Sequence, residues 1–258
     1  MLYQIKYSLL LVLMVTLSSL YSAEISNTEV DDLICFIRAG ETEKAINLLE
    51  KNSFLAEIEL FNDGITALHL TIEYQNYELV ERLLKYNIPI DAQTTSGNTA
   101  LHIASSLNNS LFALLLLEHN ADPNIRNSSF ETPLHTATRY NNPDTIKTLL
   151  GYGTTEIDAQ NYKGYTSLHF AAQKGYISIV KILLENGANR RSKDKQGNIP
   201  LHYAFESGNL KTIALLLEGD KEQLSIKNEF NKTPFDISIK YGIVQILNVI
   251  DRELRKKI

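Results

Sequence analysis

Tryptophan is absent from this 258-residue chain, and cysteine occurs once, at Cys35. One thiol closes no intrachain disulfide, and a finger-type zinc site needs several Cys or His ligands at short spacing that the sequence does not offer. Stability therefore has to come from packing. Twelve Gly and six Pro are too few for a collagen-like chain or a flexible linker. Positive charge is also in short supply. Twenty-five Lys plus Arg against thirty Asp plus Glu leave a net charge of -5, which repels a phosphate backbone and argues against nucleic acid as a partner. No Gly-rich phosphate loop and no His-Glu-x-x-His run is present, so nothing calls for a cofactor or a metal. What the chain does have is 44% hydrophobic and 21% charged residues, enough to build a packed core.

The amino terminus differs from the rest. Lys6 stands ahead of the apolar run Leu9 to Leu17, which gives way to Ser18, Ser19, Ser22 and Ala23. That order predicts a secretory signal peptide over residues 1–23. The apolar run is roughly half of the ~20 residues a membrane-spanning helix requires, so a stable anchor fits less well. A buried first helix is the other alternative, and Leu9 to Leu17 has no polar face to turn to water. Cleavage after Ala23 places Tyr21 at the minus-three position, and cleavage after Ser22 places Leu20 there; the sequence leaves the choice open. Export, to a periplasm or beyond it, is the expectation. The mature chain, residues 24–258, loses one lysine and no acid.

That mature chain repeats itself, which is the first thing to look for in a chain of this length. Thr66-Ala67-Leu68-His69 returns as Thr99-Ala100-Leu101-His102, Thr132-Pro133-Leu134-His135, Thr166-Ser167-Leu168-His169 and Ile199-Pro200-Leu201-His202, then in weakened form as Thr233-Pro234-Phe235-Asp236. The steps are 33, 33, 34, 33 and 34 residues, and five of the six histidines fall at one position of the repeat. Two residues before each motif stand Gly64, Gly97, Phe130, Gly164, Gly197 and Asn231, mostly glycine, as a turn with positive φ requires. Downstream, Leu83-Leu84, Leu116-Leu117, Leu149-Leu150, Leu183-Leu184 and Leu216-Leu217 recur in phase, each three residues after Val80, Ala113, Ile146, Val180 or Ile213. That spacing is one stripe of a helix.

These residues resemble the ankyrin repeat. The best copy runs from Gly164-Tyr165-Thr166-Ser167-Leu168-His169 through Gly175 to Ile179-Val180-Lys181-Ile182-Leu183-Leu184 and Gly187-Ala188-Asn189. The resemblance implies an all-α solenoid of stacked helix-turn-helix units joined by hairpin-like loops. Full repeats are expected at 64–96, 97–129, 130–163, 164–196 and 197–230. A divergent first repeat is expected at about 29–60, and a C-terminal capping repeat at 231–258, because a solenoid must screen its end faces from water. The two longer steps place one extra residue near Thr154-Thr155 and another within Gly219 to Gln223, both in loops.

Chemistry suggests why the motif residues recur. A Thr opening a helix caps free amides of the first turn with its hydroxyl, at about 1 kcal/mol, and Pro133, Pro200 and Pro234 suit the first helical position, where no amide proton is needed. The resemblance implies that His69, His102, His135, His169 and His202 hydrogen-bond to neighbouring turns. As metal ligands they fit badly, since adjacent copies stand about one helix diameter apart, ~10 Å, against ~2 Å from ligand to zinc. Cys35 reads as a small core residue on the apolar side of the first helix, and His119 as a helix C-terminal residue.

Function is then expected on the exposed surface. By similarity to ankyrin binders, contacts come from the loop tips and from two positions at the end of each first helix. Residue by residue, that yields Tyr74, Arg139, Tyr140, Tyr162, Lys163, Tyr165, Lys174 and Lys195, an aromatic and basic surface in an acidic protein. Tyr and Arg are enriched at binding hot spots, so Arg139, Tyr140, Tyr162 and Tyr165 are the expected anchors. Ordinary solvated repeat surface is the alternative for any one of them. Phe130, large at a turn position, either distorts that turn or offers an aromatic contact. The expectation is a monomeric, exported scaffold that recognises another protein without covalent chemistry, in a bacterium and with host proteins among the candidates. A periplasmic structural or chaperone-like role is the alternative. An enzyme would need a further domain for which seven units leave no room.

Overall fold

The computed structural model describes residues 27–86 and 88–237, together with residues 248 and 251. The expected signal segment 1–23 lies outside the described residues, as does nearly all of the expected cap beyond Ile237. Among the described residues the ordered elements are helices, with a single isolated bridge between Glu59 and Thr66 and no strand. The chain divides into two compact units, residues 1–89 and 90–258.

In the first unit, α1 (Asn27–Ala39) pairs with α2 (Thr42–Lys51), and α3 (Ala67–Glu73) with α4 (Tyr77–Leu83). A short 3-10 turn, Ser53–Ala56, follows α2. The core of this unit collects Leu33, Ile37, Leu49, Leu55, Leu79 and Leu83, all at 1% exposure or less. Helical periodicity overturns one expectation here. The buried stripe of α1 runs through Leu33, Ile34 and Ile37, whereas Cys35 is exposed. Two residues beyond Leu33 is 200° around the helix, so Cys35 points away from the stripe.

In the second unit four helix pairs follow one another: α5 (Ala100–Ser106) with α6 (Ser110–Glu118), α7 (Pro133–Arg139) with α8 (Pro143–Gly151), α9 (Ser167–Lys174) with α10 (Ile177–Glu185), and α11 (Pro200–Ser207) with α12 (Leu210–Leu217). The described part of α13, Pro234–Ile237, packs on α11. Two layers result. First helices α5, α7, α9 and α11 pack side by side in one row, and second helices α6, α8, α10 and α12 form the other.

Seven- to nine-residue helices are too short to persist alone in water, so the packing between rows sustains them. First helices bury one large and one small residue per turn: Leu101 and Ala104, Leu134 and Ala137, Leu168 and Ala171, Leu201 and Ala204. Alanine lets neighbouring backbones approach, and the outer row fills the space with Leu116, Ile146 and Leu149, Val180 and Leu183, Ile213 and Leu216. The paired helices reverse at a residue of positive φ: Asn108, Asn141, Gly175 and Gly208 in turn. Asn tolerates this left-handed conformation better than most side chains. The two extra residues are absorbed as local structure. Thr155 donates its hydroxyl to the Leu149 carbonyl at 2.7 Å, and Lys221–Ser225 coils into a 3-10 turn where a plain loop was expected. His119 closes α6, its Nδ1 2.9 Å from the Leu115 carbonyl.

Candidate protein-interaction surface

The surface in the second unit rests on a row of tight turns that precede the first helices. Each is closed by the same pair of backbone bonds. Thr94 N–H donates to Asn98 and Gly97 N–H to Thr94, and the pattern returns at Asn127, Asn161, Asp194 and Asn228. The tips are tied in series as well. Ser128 N–H donates to Ser96 at 3.0 Å, Tyr162 to Ser129 at 3.2 Å, Lys195 to Lys163 at 3.1 Å, and Glu229 to Gln196 at 2.9 Å. At Gly164 two requirements coincide. Its φ is +80°, and a Cβ there would lie 2.8 Å from the Lys195 nitrogen, a distance that forces neighbouring turns apart.

A side chain completes each turn. The Asn127 Oδ1 accepts from the amides of Ser129 and Glu131, Asn161 from Lys163 and Tyr165, Asp194 from Gln196 and Asn198, and Asn228 from Phe230 and Lys232, all at 2.8 to 3.0 Å. Sequence reasoning missed this row. Its signal was an Asx residue five positions before four of the six motifs, at Asn127, Asn161, Asp194 and Asn228, the residue type that mimics a backbone turn with its own side chain.

Behind the turns stand the histidines. The backbone N–H of Thr99, Thr132, Thr166 and Ile199 donates to Nδ1 of the histidine three residues on, at 3.1 to 3.2 Å. Nε2 meets a carbonyl of the following repeat: His102 reaches Glu131 at 2.9 Å, His135 reaches Tyr165 at 2.9 Å, His169 reaches Asn198 at 3.1 Å, and His202 reaches Lys232 at 3.1 Å. A carbonyl only accepts, so Nε2 carries the proton, and Nδ1, which receives an amide, carries none. The rings are therefore neutral, and burial favours that state. Desolvation lowers the pKa of His135 and His202, and holds His169 to about 4. In the first unit, His69 makes the same Nδ1 contact to the Thr66 amide at 3.2 Å.

The threonines cap as expected, and the histidine adds the reciprocal half. At Thr66, Thr99, Thr132 and Thr166 the side chain faces the backbone amide of the histidine three residues on, while the histidine ring accepts the motif amide, the two halves of a capping box. The threonine hydroxyl also sits 2.9 to 3.0 Å from the same Nδ1. Ile199 has no hydroxyl and keeps the ring contact.

The sequence-predicted surface residues fall into two groups. At first-helix ends, Arg139 and Lys174 are the last residues of α7 and α9, and Tyr140 follows Arg139 with 58% of its surface exposed. At the turn tips, Tyr162, Lys163 and Lys195 are exposed, with the Lys163 ammonium 5.5 Å from the Tyr162 ring centre. Tyr74 is exposed at the end of α3 in the first unit. A shallow hollow of about 200 Å³ lies beside Tyr140, lined by Asn98, Ser106, Glu131 and Arg139.

Two expected anchors are already engaged by the fold. Arg139 pairs with the buried Glu131 carboxylate, which also receives Asn161 Nδ2 at 3.4 Å, and its guanidinium lies 4.9 Å from the Phe170 ring centre. Tyr165 is half-buried. Its ring stacks on His169 at 5.7 Å, and its hydroxyl is 2.6 Å from that of Tyr203, which donates to Asp194 at 2.5 Å. Burial and that carboxylate push the Tyr203 hydroxyl well above the usual phenol range. The next-repeat residue Tyr203 lies 38 positions away, outside the reach of a position-by-position transfer from repeat to repeat.

Both ring nitrogens of His102, His135, His169 and His202 are committed to the frame, and among the described residues no group of three or more His, Cys, Asp or Glu could hold a metal ion. No described helix is long and apolar enough to cross a membrane. Short helix pairs in two rows, a turn row tied in series and one imidazole strut per repeat define a helical repeat scaffold. A family model described as ankyrin repeats in three copies matches residues 33–127 and 124–194, and a single ankyrin repeat matches residues 196–229. The chain belongs to the ankyrin repeat family. A search of curated proteins finds no match. Ankyrin repeats generally mediate protein–protein interaction, and proteins made of them are typically scaffolds and not enzymes.

Proposed function

We propose that this chain is an exported scaffold that recognises a partner protein through the turn tips and first-helix ends of its second unit. The observation that carries the reading is the contrast between committed and uncommitted side chains. The histidines, Asx residues, Arg139 and Tyr165 are spent on the frame, while Tyr140, Tyr162, Lys163, Lys174 and Lys195 project from it exposed. A rigid frame spares the cost of ordering the backbone on binding, which is how such surfaces gain affinity. Tyrosine is a favoured hot-spot residue, and the basic tips set an acid-seeking surface within a chain of net charge -5.

Export rests on the order Lys6, Leu9 to Leu17, Ser22-Ala23, and a bacterial setting with host proteins as targets rests on that segment together with the repeats. The test of recognition is affinity capture by the full chain and by Tyr140→Ala combined with Lys174→Ala. Arg139→Ala is avoided because it would strip a buried carboxylate of its partner. A protein captured by the parent and lost by the double variant is the expected result; equal capture by both overturns the reading. Export is tested by fractionation and intact mass, and an uncleaved chain confined to the cytoplasm overturns it.

A further inference from the structure

Two turns of the row depart from glycine, at Phe130 and Asn231, and beside the bulkier of the two lies a cleft. Phe130 occupies the turn position held by Gly97, Gly164 and Gly197, with φ +57°. A left-handed backbone costs a residue with a Cβ about 1–2 kcal/mol, and Phe130 recovers little by burial, since 55% of its surface is exposed. On this flank lies a cleft of about 360 Å³, whose lining includes Phe130, Tyr162, Arg126, Gln160, Lys193 and Lys195.

The exposed charge lining this cleft is cationic, from Arg126, Lys193 and Lys195. Asp194 also lines it, but that carboxylate is buried, and both its oxygens are occupied by the amides of Gln196 and Asn198 and by the Tyr203 hydroxyl. Arg126 has Glu156 at 3.8 Å. Among the described residues no carboxylate lies within ion-pair distance of Lys163, Lys193 or Lys195. Two exposed aromatic rings with lysine ammonium groups around them present an apolar floor and a cationic rim.

We infer that this cleft takes a short acidic segment of a partner protein, with one aromatic or apolar side chain set between Phe130 and Tyr162 and flanking carboxylates on Lys193 and Lys195. The inference rests on the reading of this unit as a protein-recognition surface and names the chemistry of what it recognises. Screening limits such attraction to ~8 Å at physiological salt, so a short peptide feels the local lysines. A long polyanion would also meet the acidic remainder of the chain.

The experiment is fluorescence anisotropy with the full chain and a labelled peptide of sequence Glu-Asp-Glu-Phe-Glu-Asp-Glu. The comparison probes are its counterpart with every acid replaced by Lys, its counterpart with Phe replaced by Gly, and a single-stranded DNA heptamer. The acidic Phe peptide is expected to bind at least about tenfold more tightly than any of these, a ratio typical of one hot-spot side chain or charge pair. Phe130→Gly, which restores the usual turn residue, and Lys193→Glu with Lys195→Glu should each weaken it by about tenfold or more. Lys181→Glu, on α10 away from the cleft, should not. Thermal melts confirm that each variant is folded. Absence of binding by the acidic peptide, or equal binding of the DNA, overturns the inference. So does loss of binding on Tyr140→Ala with none on Phe130→Gly, a result that keeps the recognition surface and moves its occupant to the helix ends.

Discussion

Inside the second unit, four successive repeats do nearly the same thing, whereas on its surface no two do. Each imidazole of His102, His135, His169 and His202 accepts from a helix start and donates to the next repeat. The exposed positions at the corresponding helix ends and turn tips read Tyr140, Lys174, Tyr162 and Lys195, with Phe130 where glycine is usual. The difference teaches where selection for fold ends and room for function begins: a side chain whose polar atoms close a bond between repeats is not free to choose a partner.

The strongest way to break the comparison is through the core. Leu183→Ala removes a side chain at 0% exposure and should cost about 2–5 kcal/mol, read from urea unfolding. An equal loss from Lys174→Ala at the surface would erase the distinction. Acid is the next lever. The folded chain holds His169 to about 4 against 6.5 when unfolded, so between those values the unfolded chain binds the proton that the folded one refuses. Stability from this group is full above pH 6.5 and falls as pH drops toward 4, by about 3 kcal/mol in total. The lowered pKa values of His135 and His202 act in the same direction. Unfolding midpoints measured from pH 7 to 4 check this, and a flat profile would contradict it.

Smaller changes sharpen the contrast. Arg139→Ala should cost about 1–3 kcal/mol by leaving the buried Glu131 carboxylate without its cation, marking Arg139 as frame and not surface. Gly164→Ala should destabilise by about 1–2 kcal/mol from its positive φ alone, while Phe130→Gly should stabilise by a similar amount. Opposite signs at equivalent turn positions are the outcome to look for in paired melts. Tyr140→Ala should change stability by less than about 0.5 kcal/mol and still reduce capture of the partner.

Much of the frame was readable because it is periodic. Steps of 33 and 34 residues located the helix starts, Leu116, Leu149, Leu183 and Leu216 named the core of the outer row in the second unit, and Leu83 a core residue of the first. What escaped was whatever depends on angle or on contact across repeats. Cys35 lies two residues from Leu33 and hence on the far side of α1. The histidine half of each cap escaped because the ring of residue N3 reaches back to the motif amide. Tyr165 looked exposed by its place in the repeat, and it is half-buried because Tyr203 happens to stand in the next one. Periodicity reports a position, and only the neighbouring repeat decides whether that position is occupied.

The account depends on the histidines being neutral struts with the proton on Nε2. Long-range nitrogen-15 NMR of the imidazoles, followed from pH 7 to 4, reads tautomer and titration together. For His169 the account predicts a protonated Nε2, an unprotonated Nδ1 and no titration until pH is close to 4. A proton on Nδ1, or titration near 6.5, would contradict it and return the histidine row to the residues available for function.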